Sequence, residues 1–386
     1  MASTIGFSSP ENAQQVCCNL LGHYFMPWAK QVSKRIAMEG LEEKFAYIDL
    51  AVGESTATPQ DSPSYAILEW VSRQRNIRPL LYTLLNEKEG EKAVFWNNCL
   101  ENLPRIEHFT FAPQLHQSMV DTPLQQHIAT VRSLPTLVVA DLCANEGLTW
   151  KWLRDLVQGH PADCVLSINY QQLLNWSKRK RDQEQLERIL GEQASHALKV
   201  AFKKRLSATE KENYWKNLLE ERLQEVLGAN NPGLLCYTFY DEQDKTSRFL
   251  YFLTRDPKAY QAMRQVMNAE SHIVEDGIGN LCYQPSRGPR KHQTSPTLFG
   301  PMFKLEQHLW ATYLHQTIQL VDLYEEQHWG RSLTKKNYID ALLNLEEKGQ
   351  IKITRKRAPR GRTVPKDHLP DKTFLSFKPQ TIESFL

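Results

Sequence analysis

Four short apolar runs each close on an acid or an amide, and a stretch with helical features follows most of them. The runs are KFAYIDLAV, with Asp49; PLLYTLLNE, ending on Asn86 and Glu87; PTLVVADLC, with Asp141; and DCVLSINY, with Asn169. Near-continuous apolar strands are buried on both faces, the habit of a mostly parallel sheet. Their alternation with helices predicts an open, doubly wound, Rossmann-like α/β domain. Such sheets bind ligands outside the carboxyl ends of their strands, so the polar residues at these ends define one candidate site.

The helices between them are read from spacing. Residues 11–40 carry Val16, Leu20, Tyr24 and Trp28 near a four-residue spacing, with Pro27 set to kink or break the helix. Ser62 and Pro63 mark a helix start before YAILEW. KEGEKAVFWNNCLENL, PLQQHIATVRSL and LTWKWLRDLVQ read as helices, and IEHFTFAP as a strand. Residues 171–228 are highly charged and helical, and are expected to be an insertion or cap over the sheet rim. The basic run Lys178–Arg181 within them reads as a solvated face. A hairpin with its turn at Asp241–Ser247 and a helix from Tyr260 to Met267 close the domain. The first domain is placed at 11–275, with a linker at 276–300 and a second domain at 301–386.

With 386 residues, 41% hydrophobic and 24% charged, the chain suits about two globular domains. The seven cysteines include no C-x-x-C pair, which argues against a zinc site and for reduced thiols. No apolar run is long enough to cross a bilayer, and no signal peptide is visible at the N-terminus. A cytoplasmic protein with no membrane partner is expected.

The turn after the first strand, YIDLAVGEST, carries Asp49 and Gly53, and the next strand ends at Glu87. A nucleoside needs a bare backbone turn and an acid that accepts from the ribose hydroxyls. The order strand–Asp–turn, strand–Glu, strand–Asp resembles class I S-adenosylmethionine-dependent methyltransferases. It is more closely similar to the three-Cys-motif partner proteins (TcmP), marked by DGFAGPG, a GSP…AL helix start, a strand ending in Glu, DPFG, and YxLxFxTxHP…VM. The matching segments here are YIDLAVGEST, DSPSYAILEW, YTLLNEKEGEK, VVADLCANEGLTW and FLYFLTRDPKAYQAMRQVM, over about residues 15–270. The last matches best, through Phe252, Thr254, Pro257 and Met267.

The resemblance implies a methyltransferase-like fold. It implies S-adenosylmethionine held by Asp49, Gly53 and Glu87, with Asp141 near the transfer site as the candidate base. It also implies a partner protein bearing a three-cysteine motif, and makes phage defence a family context. Departures are clear. Leu50, Ala51, Glu54 and Ser55 replace motif residues in the first turn, and Leu142 and Cys143 replace the Pro-Phe after Asp141. Glu54 beside Asp49 disfavours a cofactor that carries its own carboxylate. Each acid also has a local role open to it: Asp49 as a turn cap, and Glu87 or Asp141 as a first-turn residue offsetting a helix dipole.

After the linker, MFKLEQHLWATYLHQTIQLVDLYEEQ reads as one periodic helix, placing His308 and His315 seven apart on it. RSLTKKNYIDALLNLEEKGQ reads as a turn and a second helix with Gly349 after its end, and IKITRKR and TFLSFKP as two strands. Helix, helix and basic hairpin outline a C-terminal winged helix. Lys352, Arg355, Lys356, Arg357, Arg360 and Arg362 would lie along a phosphate backbone. Lys335 and Lys336 would begin the helix that approaches the groove. Nucleic acid, DNA in the first instance, is the expected partner, against a purely protein-binding winged helix.

Three functions stay open at this point. One is a nucleic-acid-associated methyltransferase. Another is a non-enzymatic adaptor joining nucleic acid to a partner protein. The third is a nuclease holding Mg²⁺ through Asp49, Glu54 and Asp141.

Overall fold

The computed structural model describes residues 12–39, 44–52, 61–117, 122–131, 133–145, 147–159, 161–203, 206–228, 231–275, 277–285, 291–293, 300–355 and 369–378. The chain divides into two compact units, Met1–Glu270 with Cys282–Gly288, and Ser271–Leu281 with Pro289–Leu386.

The first unit opens on α1 (Ala13–Glu39), which continues through Pro27 without a break. Then come β1 (Phe45–Asp49), α2 (Pro63–Ser72), β2 (Leu81–Asn86), α3 (Gly90–Glu101), β3 (Gln114–His116) and α4 (Thr122–Ala129). β4 (Thr136–Asp141), α5 (Trp150–Gly159) and β5 (Ala162–Asn169) complete the alternation. The segment IEHFTFAP is not a strand. Ile106–His108 form a single 3-10 turn, and β3 begins only at Gln114. Pro113 has no N–H to give to a ladder, so the strand starts after it.

The segment after β5 is helical, as expected: α6 (Tyr170–Lys178), α7 (Gln183–Leu190), α8 (Glu192–Lys203) and α9 (Ala208–Leu227). α9 does more than cap. Its Trp215, Leu219, Leu223 and Val226 are fully buried in the same apolar cluster as Ile48, Val138 and Leu166 of the sheet and Leu153 and Val157 of α5. The opposite face of β1 presents Phe45 and Tyr47 to α1, in edge contacts with Trp28 and Phe25. Alternate residues of one strand thus enter two different layers, which is why β1 is buried along its whole length.

β6 (Leu234–Tyr240) and β7 (Thr246–Leu253) form the expected hairpin, followed by α10 (Pro257–Ala269). β8 (Ile273–Glu275) and β9 (Ile278–Gly279) belong to the second unit, and β10 (Cys282–Tyr283) returns to the first. The large sheet has the order β10-β6-β7-β5-β4-β1-β2-β3. β3, β2, β1, β4 and β5 are parallel, and β7 runs against both β5 and β6. The strand order reverses between β1 and β4. This is a doubly wound, methyltransferase-like α/β sheet whose switch point lies between Asp49 and Asp141.

The second unit carries β8, β9 and β11 (Lys291–Gln293) in one small sheet. Beyond them lie α11 (Pro301–Tyr313), β12 (Thr317–Gln319), α12 (Leu320–Gln327), α13 (Lys335–Glu347), β13 (Ile351–Thr354) and β14 (Phe374–Phe377). The single periodic helix expected over 302–327 is therefore two helices and a strand. His315 adopts φ +67°, which ends helical geometry, and Thr317–Gln319 pair with β14. A partner far along the chain overrides the local spacing, and His315 is not on a helix with His308. Leu305, Leu309, Leu320, Leu323, Tyr338, Leu342 and Leu345 form the core of this unit. Thr334 and Asn337 close a capping box on α13, and Gly349 takes φ +71° after its end. Among the described residues, no helix is long and apolar enough to cross a membrane.

Candidate functional site

The carboxyl rim of the large sheet brings Asp49, Glu87, Asp141 and Asn169 to the ends of β1, β2, β4 and β5. Each is held by its own turn. Asp49 is buried; its Oδ1 accepts from the Ala51 N–H at 2.9 Å and its Oδ2 from the Ser64 hydroxyl. Ser64 also meets the Tyr47 hydroxyl at 2.7 Å. The Ser62-Pro63-Ser64 helix start is thus tied directly to the end of β1, with Ser62 accepting from the Ser64 N–H. Burial pushes the Asp49 carboxyl up to about 6. The hydrogen bonds from Ser64 and Ala51 oppose this, and the nearby charge of Glu87 adds to it.

Glu87 is 4% exposed, and its Oε1 accepts from the Glu89 N–H at 3.0 Å, at the start of α3. Its neighbour Asn86 donates to the Leu50 carbonyl at 3.5 Å, joining β2 to the turn after β1. Lys88 reaches the Ala144 carbonyl at 3.2 Å. Because β1 lies between β2 and β4, that side chain spans the switch point from one flank to the other.

Asp141 accepts at Oδ1 from the Cys143 and Ala144 N–H groups, both at 2.9 Å. Burial pushes its carboxyl up, while Ala144, Ser167, Arg248 and Cys143 favour the charged form. The turn it caps is also held by Arg188 of α7, which donates to the carbonyls of Leu142, Asn145 and Leu148 at 3.0–3.2 Å. The charged helical segment therefore does reach the rim. Asn169 accepts from the Gln172 N–H at 3.0 Å as the cap of α6.

Ser64, Lys88, Arg188 and Arg248 are rim residues that the sequence reading missed. The Ser-Pro-Ser start held a signal for Ser64. Nothing local distinguishes Arg188 or Arg248 from the other basic residues of their segments.

A nucleoside cofactor asks for a turn without side chains over the strand end and an acid that faces outward. In the described part of the site, the residues that follow Asp49 carry side chains. Leu50 and Val52 are 1% and 3% exposed, and Glu87 is buried with Oε1 engaged. Gly53 and Glu54 lie outside the described residues. Among the described residues, no group of three or more His, Cys, Asp and Glu is placed to hold a metal ion.

In the second unit the proposed phosphate contacts divide in two. Lys335 pairs with Asp371 at 2.5 Å, and Arg355 forms two hydrogen bonds to Glu346 at 2.5 and 2.8 Å. Lys336 and Lys352 are exposed and make no hydrogen bond or ion pair among the described residues. Lys356, Arg357, Arg360 and Arg362 lie outside the described residues.

No protein-family model matches this chain, and no curated protein matches it. Among solved structures it is similar to a predicted O-methyltransferase, protein Atu636 from Agrobacterium tumefaciens. The identity is 13% and the TM-score 0.30, over 61% of this chain and 79% of that one. It is also similar to the plantazolicin methyltransferase BpumL, in complex with a triazolic desmethylPZN analog and SAH. There the identity is 9% and the TM-score 0.27, over 65% of this chain and 93% of that one. Likenesses this loose carry no argument about chemistry. The methyltransferase-like assignment rests on the strand order and the switch point described above.

Proposed function

We propose that this methyltransferase-like protein acts by binding rather than by methyl transfer. In this reading it is an adaptor of the three-Cys-motif partner type that joins nucleic acid to a partner protein. The observation that carries the reading is the state of the carboxyl rim. Asp49 and Asp141 each accept backbone N–H groups of their own turns, and Glu87 is buried against the start of α3. A ligand that displaced these turn N–H groups would cost about 1 kcal/mol or more for each group left unpaired.

The order α11, β12, α12, α13, β13, β14 supports reading the second unit as a winged helix, with exposed Lys336 and Lys352 turned to a phosphate backbone. The engaged Lys335 and Arg355 leave fewer cations for that contact than their number in the sequence implies.

S-adenosylmethionine binding is the second reading. It is favoured by Glu87 standing at the end of the strand beside the switch point, where a ribose would be held. Calorimetric titration of the full chain with S-adenosylmethionine and S-adenosylhomocysteine decides between the two. No heat from either ligand is expected. Micromolar binding that Glu87→Ala abolishes would overturn the adaptor reading and restore a working cofactor site.

A further inference from the structure

The opposite edge of the same sheet holds a cavity of about 390 Å³, within the size range of small-molecule sites. It lies where β4 and β5 begin and β7 ends, between α1 and α10. Trp28 and the rings of Pro27, Pro135 and Pro161 give it flat apolar walls. Asp163 forms part of its lining and is 7% exposed. Its two carboxyl oxygens accept from the Tyr24 hydroxyl at 2.6 Å and the Thr254 hydroxyl at 2.5 Å. The Trp28 side chain also donates to this carboxyl, and since a carboxylate has about four lone-pair sites, about one acceptor position remains.

Three cations line the same cavity: Arg35 of α1, and Arg255 and Lys258 at the start of α10. Arg35 and Lys258 are exposed and make no hydrogen bond or ion pair among the described residues. Arg255 gives one N–H to the Gln158 carbonyl at 3.0 Å. Asp256 also lines the cavity, but its Oδ1 caps the Lys258 N–H at 2.8 Å.

We propose that this cavity is a ligand site of its own, taking a small molecule with one planar N–H-bearing ring and one phosphate, a 5′-mononucleotide in chemical class. The flat walls suit the ring, Asp163 accepts from its N–H, and the three cations match a phosphate better than a single negative charge. Nothing in this depends on how the carboxyl rim is used.

The full chain is titrated calorimetrically with the four 5′-mononucleotides, with adenosine and with inorganic phosphate. At least one mononucleotide is expected to bind in the micromolar range, more tightly than adenosine or phosphate. The double variant Arg35→Glu, Lys258→Glu changes only exposed side chains. It should keep the melting temperature and weaken binding roughly tenfold or more. Glu87→Ala, at the other rim, should leave binding unchanged. The proposal is overturned if no mononucleotide binds up to millimolar concentration, or if phosphate alone binds as well. It is equally overturned if Glu87→Ala removes binding and the double variant does not.

Discussion

At the carboxyl rim of the large sheet, Asp49, Glu87 and Asp141 are folded back into the turns that follow their own strands. At the amino edge, Asp163 is held by Tyr24 and Thr254, while Arg35 and Lys258 of the same cavity are exposed and make no hydrogen bond or ion pair among the described residues. Both edges contain buried carboxyls, and in both the buried groups hold neighbouring elements together. The difference is in what is left over. One rim has turned its polar groups inward, and the other has kept a lined cavity. Counting charged residues at a strand end therefore says little about ligand binding until their partners are known.

The largest effect is expected at Gly233, beside the amino edge. A Cβ there would stand 1.9 Å from the Thr254 carbonyl oxygen, which is backbone and cannot swing aside. Gly233→Ala should destabilise the first unit by roughly 4 kcal/mol or more, read from urea unfolding. A near-neutral result would mean that the amino edge is not the close-packed frame described here.

A milder change separates the two buried carboxyls. Asp163→Ala leaves the Tyr24 and Thr254 hydroxyls without their acceptor and should cost about 2–4 kcal/mol. Asp49→Ala should cost less, because Ser64 keeps Tyr47 as a partner. Equal losses would remove the energetic distinction between the two edges.

Acidity sharpens the same point. Burial pushes both Asp49 and Asp163 up to about 6, whereas an unfolded chain has its aspartates near 4. Between those values the native state holds protons that the unfolded state has released, so stability falls as pH rises from about 4 to about 6 and then levels off. The contribution of Asp163 is roughly 3 kcal/mol across that window. Unfolding curves taken through it should be flatter in Asp163→Asn.

The smallest effects are expected in the second unit, where the same contrast between open and engaged groups recurs. Lys336→Glu and Lys352→Glu should each weaken duplex DNA binding and lower the salt slope by about one. Lys335→Ala and Arg355→Ala should change it less, since each side chain already has a carboxylate partner. If all four act alike, those ion pairs open on binding.

The alternation of strand and helix, the acids at the strand ends and the start and stop of α13 were legible in the sequence by itself. All of them are local. Apolar spacing sets which face a helix or strand buries, a Ser-Pro pair starts α2, Thr334 and Asn337 cap α13, and Gly349 supplies the positive φ that ends it. The tertiary structure alone decided who meets whom. It gave Asp49 to Ser64, brought Arg188 to the turn after Asp141, split the expected helix at His315 to pair Thr317 with Ser376, and gathered α1, β5, β7 and α10 around one cavity. Spacing along a chain encodes local geometry. Contacts between distant segments form only when the whole core closes, and they fix whether a polar group is spent on the fold or left for a ligand.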